Sequence, residues 1–73
     1  MRIVLRPKGV IRKYVDDTEI SVPNGITPRR LISDLKIPDK LKMAAFVNGK
    51  KRSLDDELKD GDEVNLITLL GGG

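Results

Sequence analysis

This chain has to hold a fold together without cross-links. Its 73 residues include neither cysteine nor histidine, so disulfides are excluded and a zinc or iron–sulfur staple lacks its usual ligands. A single domain of this size buries only a modest core, and the only aromatic residues are Tyr14 and Phe46. Stability must therefore come from Ile, Val and Leu packed in a regular frame. The same absences limit chemistry, because no Cys–His pair, Ser–His–Asp triad or imidazole base can be assembled. The expectation is a protein that is not itself an enzyme and binds no metal or cofactor of its own.

The formal net charge is +3, with both signs spread along the chain. That falls short of the concentrated basic stripe of a nucleic-acid binder. No apolar run approaches membrane-spanning length, and the opening Arg2-Ile3-Val4-Leu5-Arg6 has no signal-peptide core. A cytoplasmic protein, monomeric when free, is expected.

Hydrophobic period and turn chemistry divide the chain. Residues 1–6 read as a strand with Ile3 and Leu5 on one face. Pro7-Lys8-Gly9 is turn chemistry. Residues 10–15 are strand-like but alternate poorly, and read either as a continuation of the first strand or as a loose hairpin arm. Residues 18–22 alternate well, with Ile20 and Val22 facing one way. After Pro23-Asn24-Gly25, Thr27 is a suitable N-cap and Pro28 suits the first helical position. Leu31, Ile32 and Leu35 then form one buried stripe, and Pro38 ends a helix of about two and a half turns. Residues 44–47 read as a strand and Asn48-Gly49 as a hairpin turn. Residues 50–52 return, and residues 53–58 suggest one helical turn packing Leu54 and Leu58. Asp60-Gly61-Asp62 turns into a last, strongly apolar strand over residues 63–70.

This order predicts an α+β fold of the β-grasp (ubiquitin-like) kind: a mixed four- to five-stranded sheet with one main helix packed across one face. The last strand would be central and parallel to the first. Residues 1–70 form the domain, and residues 71–73 a flexible glycine tail.

One helix cannot cover both faces of the sheet. Val64 and Leu66 are assigned to the core, which turns Ile67 and Leu69 outward. Ala45 and Val47 facing inward leave Phe46 outward. Phe46, Ile67 and Leu69 are thus expected to form an exposed apolar patch near the tail, the kind of surface that marks a partner site. Single surface hydrophobes are also ordinary. Arg6, Lys50, Lys51 and Arg52 are either a polar rim to this patch or a solvated charged face.

The chain ends in Gly71-Gly72-Gly73. Without a Cβ, such a segment can thread a narrow channel and bring its carboxylate to a nucleotide. A carboxylate needs activation before a nucleophile can attack it. No Gly-rich phosphate loop is present, so a partner has to supply ATP chemistry. A glycine run alone also fits a frayed end, and its meaning comes from what precedes it.

Phe46-Val47-Asn48-Gly49, then Leu58-Lys59-Asp60-Gly61-Asp62-Glu63-Val64, then a terminal Gly-Gly together resemble the MoaD/ThiS family of sulfur carrier proteins. The likeness is close over residues 44–73 and extends to element order before that. It implies that a ubiquitin-activating-type enzyme, using ATP and magnesium, adenylates the terminal carboxylate. A persulfide sulfur then displaces AMP, and the resulting thiocarboxylate gives its sulfur to a biosynthetic enzyme. Carried over by position, Gly73 is the activated terminus and Gly72 its companion, while Phe46 and Ile67 fall on the contact face. Asn48, Gly49, Asp60, Gly61 and Asp62 are read as structural turn residues, on the physics of tight turns. Leu69-Leu70 stand where molybdopterin-synthase small subunits commonly have prolines, which, among the thiamine, molybdopterin and tRNA-thiolation pathways, weighs against molybdopterin and leaves thiamine, tRNA thiolation or a less specialised carrier open. A modifier joined to lysines through the same tail and a β-grasp RNA- or protein-binding module are the alternatives.

Overall fold

Alternating apolar residues at the two ends of the chain build the middle of one sheet. The computed structural model describes residues 1–38 and 40–69. Strand β1 (Arg2–Pro7) buries Ile3, Leu5 and Pro7 on one face. The last strand, β5 (Glu63–Thr68), buries Val64 and Leu66 on the same face. The two pair in parallel, with Leu5 opposite Val64 and Pro7 opposite Leu66. Around them lie β2 (Thr18–Ser21), β3 (Met43–Val47) and β4 (Lys50–Arg52), and the five-stranded sheet runs β2-β1-β5-β3-β4. Only the β1–β5 pair is parallel, which requires a crossover connection. The mixed sheet with a central last strand is the predicted architecture.

The crossover carries the one α-helix among the described residues, α1 (Pro28–Asp34). The Thr27 hydroxyl accepts from the Arg30 backbone N–H at 3.2 Å, and Pro28 opens the first turn. Leu31 and Ile32 are buried, while Leu35 caps the end and Lys36 follows at φ +60°. At seven residues the helix is shorter than the span to Pro38 predicted. It is below the length at which a helix stands alone, so its packing against the sheet sustains it. Ile3, Leu5, Ile11, Leu31, Val64 and Leu66 meet in this core.

Residues 10–15 are not a strand. Gly9 at φ +57° turns the chain out of β1 into a 3-10 helix at Gly9–Lys13. Lys8 and Ile11 carbonyls accept from Ile11 and Tyr14 N–H groups. Ile11 alone is buried there, and one anchor in five residues leaves no period for sequence to show.

Residues 53–58 also depart from expectation. Leu54 packs against the core and Leu58 is buried, as predicted, but no helix forms. Ser53 makes a local turn instead, its hydroxyl accepting from Asp55 N–H and its carbonyl from Asp56 N–H. Side-chain competition of this kind draws Ser away from helix interiors. Leu58 N–H donates to Ile26 carbonyl at 2.8 Å, and Arg29 N–H to Leu54 carbonyl at 2.9 Å, which tie the segment to the start of α1.

Leu66 is fully buried at the centre of the sheet. Leu66→Ala is expected to cost about 3 kcal/mol through lost burial and the cavity left behind, measured by urea denaturation.

Candidate functional site

The hairpin turn and the last turn, read separately along the chain, form one unit. Asn48 adopts φ +52°, in the left-handed region that Asn tolerates better than most residues. Its N–H donates to Glu63 carbonyl at 2.8 Å, and its side-chain Oδ1 accepts from Glu63 N–H at 2.9 Å. Its Nδ2 donates to Asp62 Oδ1 at 3.0 Å. Asp62 Oδ2 in turn accepts from Lys59 N–H at 2.8 Å. Asp60 reaches the other way, accepting from Arg2 N–H at 2.8 Å, while Gly61 N–H donates to Arg2 carbonyl at 2.7 Å. Gly49 and Gly61, both at φ +86°, take conformations that a Cβ disfavours. These residues fasten the entry of β5 between β1 and β3.

The sheet face opposite the core is where partner residues were expected. Cross-strand register puts Arg6, Asn65, Phe46 and Lys51 in one row. Ile67 sits in the next row, opposite Ala44. Phe46 and Ile67 are half-buried and diagonal neighbours, a separation that an aromatic side chain spans. Arg6 is held by Glu63, Nε to Oε2 at 2.8 Å, and also meets Asp17. Its pKa is raised further above the ordinary guanidinium value, chiefly by the hydrogen bond to Glu63. Lys51 is exposed beside Phe46. Arg52 pairs instead with Asp56, and with Ala45 lies in the row of the core face. Asn65, which sequence reading passed over, lies between Arg6 and Phe46 with its Oδ1 buried and unpartnered among the described residues. A polar residue among strand hydrophobics was its only signal.

Leu69 does not join that row. Regular strand ends at Thr68 and the chain bends at Leu69, so the two-residue alternation stops one position too soon. Leu69 N–H donates to Lys42 carbonyl at 2.8 Å. The residue lines a groove of about 510 Å³ with Ile32, Ser33, Leu41, Met43 and Leu54, on the helix side. The predicted patch is thus divided: Phe46 and Ile67 on the uncovered face, Leu69 around the end of the sheet. Gly71, Gly72 and Gly73, the chemical group of the sequence reading, lie outside the described residues, as does Leu70. Among the described residues no cluster of carboxylates suits a metal ion, and no helix is long and apolar enough to cross a membrane.

The groove's rim is clamped by Arg29, which binds Asp55 through Nε at 2.8 Å and a second nitrogen at 3.3 Å. The hydrogen bond from Arg29, and then its charge, hold the Asp55 carboxyl below its ordinary value. A depressed carboxyl pKa favours the fold above the unfolded-state value, and the benefit is lost as pH falls through the folded one.

The ThiS family model matches residues 9–73. Among solved structures, a protein described as molybdopterin converting factor, subunit 1, from Pyrococcus furiosus is 28% identical, with TM-score 0.73 over 92% of this chain and 95% of that one. The complex of subunits 1 and 2 of molybdopterin-converting factor from Helicobacter pylori contains a chain 25% identical, with TM-score 0.66 over all of both chains. SAMP1 from Haloferax volcanii shares the fold at 13% identity, with TM-score 0.75 over all of both chains. No curated protein matches the chain.

Asn48→Ala removes two side-chain hydrogen bonds and places a disfavoured residue at positive φ. A loss of about 2 kcal/mol is expected, read from chemical denaturation. Arg29→Gln should return Asp55 toward the ordinary carboxylate range, seen as a higher midpoint in a carboxyl NMR titration.

Proposed function

The chain belongs to the ThiS family, and on that premise we propose that it carries sulfur as a thiocarboxylate at Gly73. The match that runs through the final glycines, residues 9–73, is the observation that carries this reading. The ubiquitin-like fold and the subunit 1 neighbours agree with membership in a family of small carriers. The chemistry then divides between this chain and its partners. A ubiquitin-activating-type enzyme binds ATP and magnesium. The Gly73 carboxylate attacks the α-phosphorus, forming an acyl adenylate and releasing pyrophosphate. A persulfide sulfur next attacks the acyl carbon and displaces AMP, and reductive cleavage of the sulfur–sulfur bond by a thiol leaves the thiocarboxylate. A sulfur-accepting biosynthetic enzyme receives that sulfur.

This chain contributes an accessible main-chain end and a recognition surface. Gly71 and Gly72 let the end enter a channel closed to any side chain. Phe46 and Ile67 supply apolar contact on the uncovered face, with Lys51 and the Arg6–Glu63 pair beside them. Such a half-buried apolar centre with a polar border is the usual anatomy of a transient interface. The H. pylori neighbour is itself a complex of subunits 1 and 2, and a comparable sulfur acceptor suits this chain.

Incubation with ATP, magnesium, the adenylating enzyme and a sulfur donor is expected to replace one oxygen by sulfur in the intact mass. Deleting Gly72 and Gly73 should abolish that change while leaving thermal unfolding as it was. Stable adducts on lysines of other proteins, with no thiocarboxylate, would identify a modifier instead. Full biological activity of the deletion variant would sink both readings.

A further inference from the structure

On the activation reading Gly73 is the reacting end, and Gly71 and Gly72 before it offer no side chain to recognise. Four residues follow Leu69, and three of them are glycine. Fully extended they reach about 14 Å. Every polypeptide ends in a carboxylate, so an enzyme that activates this one has to choose it by the surface around the base of the tail. The sulfur acceptor faces a lighter task, because a thiocarboxylate is already rare chemistry. Selection near the tail therefore falls on the activating enzyme.

Parallel pairing decides what lies near that base. Because β1 and β5 run the same way, their C-terminal ends meet: Pro7 is opposite Leu66, and Lys8 N–H donates to Leu66 carbonyl at 2.9 Å. The 3-10 helix at Gly9–Lys13 leaves β1 at this end, and fully buried Ile11 pins it to the core. The large hydrophobic residues exposed among the described residues are Val10 at 38%, Tyr14 at 44% and Leu69 at 57%. The first two belong to this connection, and the third begins the tail. Charge completes the surface. Arg12 and Arg6 both engage Asp17, whereas no ion pair among the described residues uses Lys8, Lys13 or Asp16. Two lysines against one aspartate leave the segment that carries Val10 and Tyr14 with spare positive charge.

We propose that Val10 and Tyr14, together with Lys8 and Lys13 of the same segment, are a second docking element for the adenylating enzyme, met by an apolar surface carrying carboxylates. The inference rests on the activation reading above, and extends recognition beyond the Phe46–Ile67 face to the β1–β2 connection. The enzyme then grips the base of the tail from two sides, which aims four residues of chain at its nucleotide site. Apolar contact holds the complex, and the lysines speed encounter in a salt-dependent way.

The test is ATP–pyrophosphate exchange by the purified ubiquitin-activating-type enzyme of the source organism, measured against carrier concentration. The Val10→Ser/Tyr14→Ser double variant should raise KM for the carrier about tenfold, the equivalent of losing one modest hot spot, with kcat little changed. Lys8→Glu/Lys13→Glu, at exposed positions that the fold does not need, should also raise KM and flatten its dependence on salt. If both variants melt like the parent and keep its KM, the docking element is refuted. Unchanged exchange with impaired sulfur delivery would assign the surface to the acceptor, and also overturns the proposal. No exchange with the parent chain would instead defeat the activation reading on which it stands.

Discussion

The parallel pairing of the first strand with the last is the contact on which the rest of this structure depends. It seats Val64 and Leu66 between β1 and β3 with no exposed surface. It closes a loop of nearly the whole chain, so the entropy of closure must be met before the core is rewarded. The structure holds this junction with more than the ladder alone. Val4 N–H donates to Asp62 carbonyl, Gly61 N–H to Arg2 carbonyl, and Asp60 accepts from Arg2. On the other side Asn48 binds Glu63 and Asp62. The aspartates of the last turn are fastenings for a central strand, which accounts for a carboxylate-rich turn without giving it catalytic work.

The same pairing links fold to function. A strand that is both last and central delivers the end of the chain from the middle of the sheet. Its base is surrounded by β1, β3 and the β1–β2 connection. On the proposed reading the chemistry lies in the final carboxylate, and glycines before it would leave recognition to residues near the end of β5.

Electrostatics in this chain serve more to order the surface than to stabilise it. All six arginines are in ion pairs with carboxylates, and these pairs are largely solvent-exposed, where each is worth little. They do leave the lysines to carry the protein's excess positive charge. A lysine unpaired in the free protein is available to a partner, and on this small surface the placement of such lysines bears more on encounter than on folding.

Much of this was legible along the chain because it was local. Thr27 and Pro28 announced the helix, Asn48-Gly49 the hairpin, and the alternation of Val64 and Leu66 the buried strand. Capping, turn conformation and side-chain period act over a few residues, so sequence determined the order and kind of nearly every element, and the family likeness followed from motifs of the same sort. Tertiary structure decided what distant residues do together. It joined Asn48 to Asp62 and Glu63, divided Leu69 from Phe46 and Ile67, and made a 3-10 helix of residues whose one anchor, Ile11, shows no period. It also set that helix beside the root of the tail. The physical reason is that register between distant strands fixes which side chains share a face, and register is settled by how the whole core packs, not by any one segment.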